Sequence, residues 1–183
     1  MSDFKVYDAN NAPDDAKSVI EQAQTKFGFV PNILGVMAEA PCALKAYTQL
    51  SSLMEDTSFN STERQIILMS VSYVNECDYC MAAHSVISNT EGVDEKVVQT
   101  LREGGKIEDS KLEALRALSV EITETCGNPN KEAIQQFYDA GYGNKQLLEV
   151  ILGVTMKTLS NYINHIAETP LDDNFSKYKW EKK

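Results

Sequence analysis

The chain lacks several features that would have assigned it quickly. No apolar run approaches the roughly 20 residues that a membrane-crossing helix needs. No cluster of lysine and arginine is present: 17 basic residues face 27 acidic ones, and the net charge is −10. The one basic grouping, Lys177, Lys179, Lys182 and Lys183, lies at the C-terminus. An acidic surface repels phosphate backbones and anionic lipid, so neither nucleic acid nor membrane is expected as a partner. The N-terminal stretch MSDFKVYDANNAPDD has acids and no apolar h-region. This predicts no signal peptide and a cytoplasmic location. No segment alternates polar and apolar residues as a half-buried strand would, and there is no low-complexity tract or fixed-period repeat. Histidine occurs twice and cysteine four times, with no second Cys-x-x-Cys and no His-x-x-x-His. Met81, not histidine, follows Cys80, which excludes an attached c-type haem.

What is present reads as helix. The 183 residues suffice for one sizeable domain. Pro13 followed by Asp14 and Asp15 opens a helix that Gly28 closes. Pro31 and Pro41 open two more. Asn60-Ser61-Thr62-Glu63 has capping-box spacing before Gln65–Val74 (QIILMSVSYV), a helix apolar almost all round and therefore expected to be buried on most sides. Further helices are expected at 93–101, 111–125, 131–140 and 144–168, with Pro170 as terminator. The expectation is an all-α chain of about eight helices. It divides into an N-terminal helical arm (1–40), a core (41–170) and a tail (171–183) that reads as loosely held, although Phe175, Tyr178 and Trp180 give it something to pack with.

The informative stretch is NECDYCMAAHS, residues 75–85. With about 100° of turn per residue, Cys77, Cys80 and His84 share one helix face. If Asn75 caps that helix, both cysteines sit near its positive end, where thiol pKa falls. Glu76 would then be a first-turn acid, favourable to the dipole but raising a nearby thiol. His84, one turn beyond Cys80, could accept a thiol proton. Three readings fit: a thiolate with a resolving partner, a zinc half-site with His84 as third ligand and His165 or Cys126 as fourth, or ordinary buried core residues. Elsewhere, His165 reads as a helix-interface histidine. Cys42 and Cys126 read as incidental, and Met37, Met54, Met69 and Met81 as core fillers.

Glu63–Ser85, ERQIILMSVSYVNECDYCMAAHS, resembles the alkylhydroperoxidase AhpD / carboxymuconolactone decarboxylase family, whose pattern is a glutamate, eleven residues, then C-x-x-C-x-x-x-H. FGFVPNILGVMAEAP (27–41), AGYGNKQLLEVI (140–151) and NYINHIAETPLD (162–173) resemble its peroxidase-related branch. The resemblance implies an AhpD-like fold and a homo-oligomer, trimer or hexamer. It also implies cofactor-free reduction of hydroperoxides with a thiol or lipoyl electron donor. By position Cys80 would be the peroxidatic thiol, Cys77 the more exposed resolving thiol, and His84 part of a proton relay. Gln65 stands where the relay expects glutamate, and an amide cannot transfer a proton. Gln65 is therefore expected to orient a water, with a slow or substrate-restricted peroxidase as the result. Glu63, on roughly the opposite side of its helix, reads as a capping acid. Tyr79 stands where some members carry a second histidine. The apolar helix 65–74 is expected to wall a dry pocket for apolar hydroperoxides. A zinc-binding structural module, a lactone decarboxylase and a low-turnover redox sensor are the alternatives.

Overall fold

The computed structural model describes residues 3–182. Met1, Ser2 and Lys183, which enter the readings of the two ends, lie outside the described residues. The described residues form α1 (Asp14–Phe27), α2 (Asn32–Met37), α3 (Pro41–Glu55), α4 (Ser61–Val74), α5 (Asp78–Thr90), α6 (Glu95–Glu103), α7 (Ser110–Glu124), α8 (Lys131–Asp139), α9 (Asn144–Ala167) and a 3-10 helix (Asp173–Tyr178). No strand occurs among them, as the periodicity predicts. Nor is any helix among them long and apolar enough to cross a membrane.

Local chemistry sets the helix ends. Asn60 and Glu63 form the expected capping box at α4, each side chain bonding the other's backbone N–H. Asp94, Asp109 and Asn130 cap α6, α7 and α8 through side-chain oxygens. The tertiary arrangement is organised by α4, which packs against α5, α6, α7 and α9. It is buried at every position from Gln65 to Ser72, in accord with its all-round apolar sequence. A long helix can lie close beside α4 because Gly153 of α9 has no side chain. A Cβ there would sit 2.7 Å from Ile67 Cγ2. This approach fixes the height of α9 against α4 and α5, and so the positions of the α9 side chains one to three turns further on.

The tail is not loosely held. Trp180 Nε1 donates to the Arg102 carbonyl at 2.8 Å, and the Arg102 guanidinium donates to the carbonyls of Tyr178 and Lys179 and to Ser85 Oγ. Phe175 meets the rings of Phe29 and Tyr79 edge-on. Tyr79 donates its hydroxyl to Asp172 at 2.6 Å, and Asp172 also accepts from the Asn32 backbone N–H. The tail thus straps α5 and α2 together. The signal was the aromatic trio; the sequence reading underweighted it because no local pattern names an aromatic's distant partner.

This packing has a measurable consequence. Trp180→Ala removes a buried indole and its hydrogen bond and should lower unfolding free energy by about 3 kcal/mol. Denaturant unfolding monitored by circular dichroism checks this, and an unchanged midpoint would restore the loosely held tail.

Candidate thiol centre

The site starts at the junction of α4 and α5, and there the structure corrects the sequence reading. Asn75 does not cap α5. It ends α4, donates from Nδ2 to Asn161 Oδ1 at 3.0 Å, and accepts at its carbonyl from His165 Nε2 at 2.7 Å. Asparagine suits either end of a helix, so the sequence left the choice open. Glu76 turns the chain with φ at 55° and pairs at the surface with Lys182. Cys77 is the N-cap residue of α5, and Cys80 lies in its first turn. Asp78, not Glu76, is the first-turn acid.

Both sulfurs are buried, so the expected greater exposure of Cys77 is also overturned: Cys77 is 0% and Cys80 3% exposed. They belong to the buried apolar cluster that also holds Ile33, Leu34 and Met37 of α2 and Phe175 of the tail strap. One face of α9 meets them from the other side. Asn164 Nδ2 donates to Cys80 Sγ at 3.2 Å and to Cys77 Sγ at 3.5 Å, while Ser160 Oγ lies 3.9 Å from Cys80 Sγ. Asn164 Oδ1 is buried and has no hydrogen-bond partner.

His84 and Gln65 are brought together with this centre, but not as a base aimed at sulfur. His84 Nδ1 faces Gln65 Oε1 at 2.8 Å, and its Nε2 faces the Lys157 ammonium at 3.0 Å. Gln65 Nε2 donates to Glu91 at 3.0 Å, so its oxygen is the atom turned to the ring. Nδ1 therefore carries the imidazole proton, and Nε2 is a pure acceptor for Lys157. Among the described residues no hydrogen bond joins His84 to either sulfur; its partners are Gln65 and Lys157. Gln65, expected to hold a water, is instead tied at both ends by side chains.

Sequence reasoning missed Lys157. It is 1% exposed, on the α9 face shared with Gly153, Ser160, Asn161 and Asn164. A signal did exist, for it is the one lysine of α9 beyond the first turn and sits on the buried face of an apolar helix. Its charge organises the site. Burial alone would raise the Cys80 thiol, but the hydrogen bond from Cys77, the Lys157 cation and the hydrogen bonds from Lys157 and Ser160 outweigh it, holding Cys80 well below the usual thiol value. Cys77 moves the opposite way, pushed up first by its hydrogen bond to Cys80 and then by burial. Burial and the neighbouring Lys157 keep His84 neutral well below its ordinary value. Burial disfavours charge on Lys157, yet the Cys80 thiolate and the groups around it raise its pKa. The directions favour negative charge at Cys80 rather than Cys77, positive charge at Lys157 and a neutral His84 ring.

Other candidates fall where their chemistry is ordinary. Met37, Met54, Met69 and Met81 are core residues. Glu63 serves its capping box and accepts from the Tyr142 hydroxyl. His165 lies on the exposed side of α9, and Cys42 and Cys126 are exposed. Among the described residues no three His, Cys, Asp or Glu side chains converge as a metal would require. A cavity of about 630 Å³ lies between α7, α8 and the far side of α9, lined by Ile122, Cys126, Ile134 and Ile151 among others. Neither Cys77 nor Cys80 lines it.

Burial sorts the four cysteines for a reagent. In the native reduced protein, Cys42 and Cys126 should react with a bulky aromatic disulfide at the rate of free thiols, and Cys77 and Cys80 at least about tenfold more slowly. Peptide mapping after timed labelling checks this, and rapid labelling of Cys77 would contradict the enclosure.

No family model matches the chain, and no curated protein aligns with it. Solved structures do. A peroxidase-related protein from Ralstonia eutropha JMP134, described as an alkylhydroperoxidase AhpD core, superposes with a TM-score of 0.82 at 22% identity, over 96% of this chain and 94% of that one. A peroxidase-related protein from Silicibacter sp. TM1040 gives 0.79 at 18% identity, over 94% of each chain. The debrominase Bmp8 gives 0.81 at 16% identity, over 97% of this chain and 96% of that one. A variant of Bmp8 in complex with 2,3,4-tribromopyrrole is a further match. The chain has the AhpD-like helical fold.

Proposed function

We propose that the protein is a thiol oxidoreductase that reduces organic hydroperoxides through a disulfide between Cys77 and Cys80. The observation that carries this is the buried pair of sulfurs gathered by one amide, Asn164 Nδ2 lying 3.2 Å from Cys80 Sγ and 3.5 Å from Cys77 Sγ, on the same helix face as the buried Lys157. Cys80, as thiolate, is the nucleophile, and Cys77, as thiol, is the resolving partner. Asn164 touches both sulfurs and holds them together for the second step. His84 and Gln65 act behind Lys157. A small dithiol such as a lipoyl group is the donor class that fits, because the enclosed pair is closed to a protein's bulk. No cofactor is required, and a reducing, cytoplasmic compartment would keep all four thiols free.

Reductive debromination is a second reading, favoured by the likeness to Bmp8. It uses the same two thiols, so a brominated pyrrole belongs in the same assay.

Self-association is part of the proposal. The outer face of α9 carries Leu148 at 68%, Ile151 at 45%, Tyr162 at 56% and Ile166 at 72% exposure. Exposed apolar groups at this spacing along one helix are suited to packing against another copy. Ile151→Glu with Ile166→Glu should reduce the mass seen by light scattering to that of one chain. An unchanged mass would place any interface elsewhere.

The activity is tested by counting thiols under denaturing conditions. One equivalent of cumene hydroperoxide should lower the count from the four of the reduced chain to two. Cys80→Ser should leave all its thiols intact, and Cys77→Ser should stop at a sulfenic acid that dimedone traps. Four thiols unchanged with hydroperoxide, but two with the brominated pyrrole, would exchange the first reading for the second.

A further inference from the structure

The proposed reaction needs a proton for the oxygen that leaves, and His84 is badly placed to give one. Its Nδ1 proton points to Gln65, and its Nε2 accepts from Lys157. The charged group beside this ring is Lys157, whose Nζ lies 3.0 Å from His84 Nε2 and which is buried on the α9 face that also brings Ser160 and Asn164 to the Cys80 sulfur. We propose that Lys157 is the catalytic acid of the thiol centre, charged while Cys80 is a thiolate and neutral once the disulfide has formed. This rests on reading Cys77 and Cys80 as the redox pair.

The surroundings of Lys157 carry the argument. The groups that face it are Cys80 and His84 from α5, Cys77 at the α5 N-cap, and Tyr47 from α3. None is a carboxylate. Among these groups Cys80 is the one placed first to balance the buried ammonium, as a thiolate. When that thiolate is consumed in a disulfide, a charged Lys157 would be an isolated buried cation, a state strongly disfavoured by desolvation. The neutral amine is then the stable form. Such an amine still has N–H groups for His84 Nε2, so the contact survives in both states.

The steps balance on this basis. The Cys80 thiolate attacks one peroxide oxygen; the S–O bond forms and the O–O bond breaks. Sulfur is oxidised by two electrons, and the departing alkoxide takes the Lys157 proton and leaves as an alcohol. Cys77 then attacks the sulfenic acid. The S–S bond forms, the S–O bond breaks, and the Cys77 proton joins the departing hydroxide as water. Lys157 is left neutral. A dithiol donor next reduces the disulfide by two electrons and delivers two protons, one to Cys77 and one to Lys157. No proton is exchanged with solvent at any stage.

Gln65 follows from the same logic. A glutamate there would place an anion on the His84 ring and favour the imidazolium, whose Nε2–H would then face the Lys157 ammonium. The neutral amide, fixed by Glu91, keeps the ring an acceptor. Glu91, Gln65 and His84 are thus positioning residues for Lys157, and the missing relay glutamate belongs with the lysine.

The test uses the full-length reduced protein in weak buffer with a pH indicator. It is oxidised with one equivalent of diamide, which takes up two electrons and two protons, while thiolate absorbance is followed in the ultraviolet. The expected result is one thiolate per chain at neutral pH and no net proton exchanged per disulfide. Uptake of one proton per disulfide means that Lys157 stays charged, and overturns the proposal. So does a Lys157→Met protein that keeps the full thiolate band. Lys157→Arg retains a cation that does not release its proton. It should keep the band, take up one proton per disulfide and react with cumene hydroperoxide on the order of 100-fold more slowly. Gln65→Glu should also react more slowly, and a faster reaction would overturn the role of the neutral ring. Because diamide replaces the peroxide, the two readings fail separately. A proton-neutral diamide oxidation with inert hydroperoxide sustains the proton cycle of Lys157 and removes the peroxide reading.

Discussion

A buried ammonium set against a buried sulfur governs everything around it. Removing such a cation from water costs several kcal/mol, and its burial beside the sulfur is tolerable only when each group is held in place and its remaining polar atoms are satisfied. Lys157 meets that condition through His84 Nε2, His84 through Gln65, and Gln65 through the Glu91 carboxylate at the surface. Cys80 meets it through Asn164 and Ser160 from the same helix as the lysine. The backbone is subordinate to this requirement. Gly153 lets α9 approach α4, the turn at Glu76 brings Cys77 in ahead of α5, and the tail strap closes the side that α9 does not cover.

How much of this could be read in the sequence depended on the range of the interaction. The capping box at Asn60, the buried helix α4 and the clustering of Cys77, Cys80 and His84 were legible because each rests on residues a few positions apart. The junction at Asn75 was misread because the residue suits both roles, and the two-residue link that follows has no signature of its own. Lys157 lay hidden for a different reason. It is 73 residues from His84, and a lysine is ordinarily taken for a solvated one. Only the apolar company it keeps in VTMKTLS marked it out. The exposure of Cys77 was misjudged because enclosure by α2 and the tail is a tertiary fact, set by Asp172 accepting at once from Tyr79 and from Asn32.

The Tyr79–Asp172 bond also ties the chemistry to the chain end. Tyr79 lies between the two cysteines, and its hydroxyl sits in a buried contact with a carboxylate whose pKa is raised by that burial. The strap is thereby anchored on the turn of helix that carries both sulfurs.

Helix α9 carries obligations on both sides. Its inner face supplies Gly153, Lys157, Ser160, Asn161 and Asn164 to the centre, and its outer face presents Leu148, Ile151, Tyr162 and Ile166. Few of its positions are free to drift. Across lineages the segment would diverge slowly as a block, and substitutions there would travel in matched sets, lysine with glutamine, rather than one at a time.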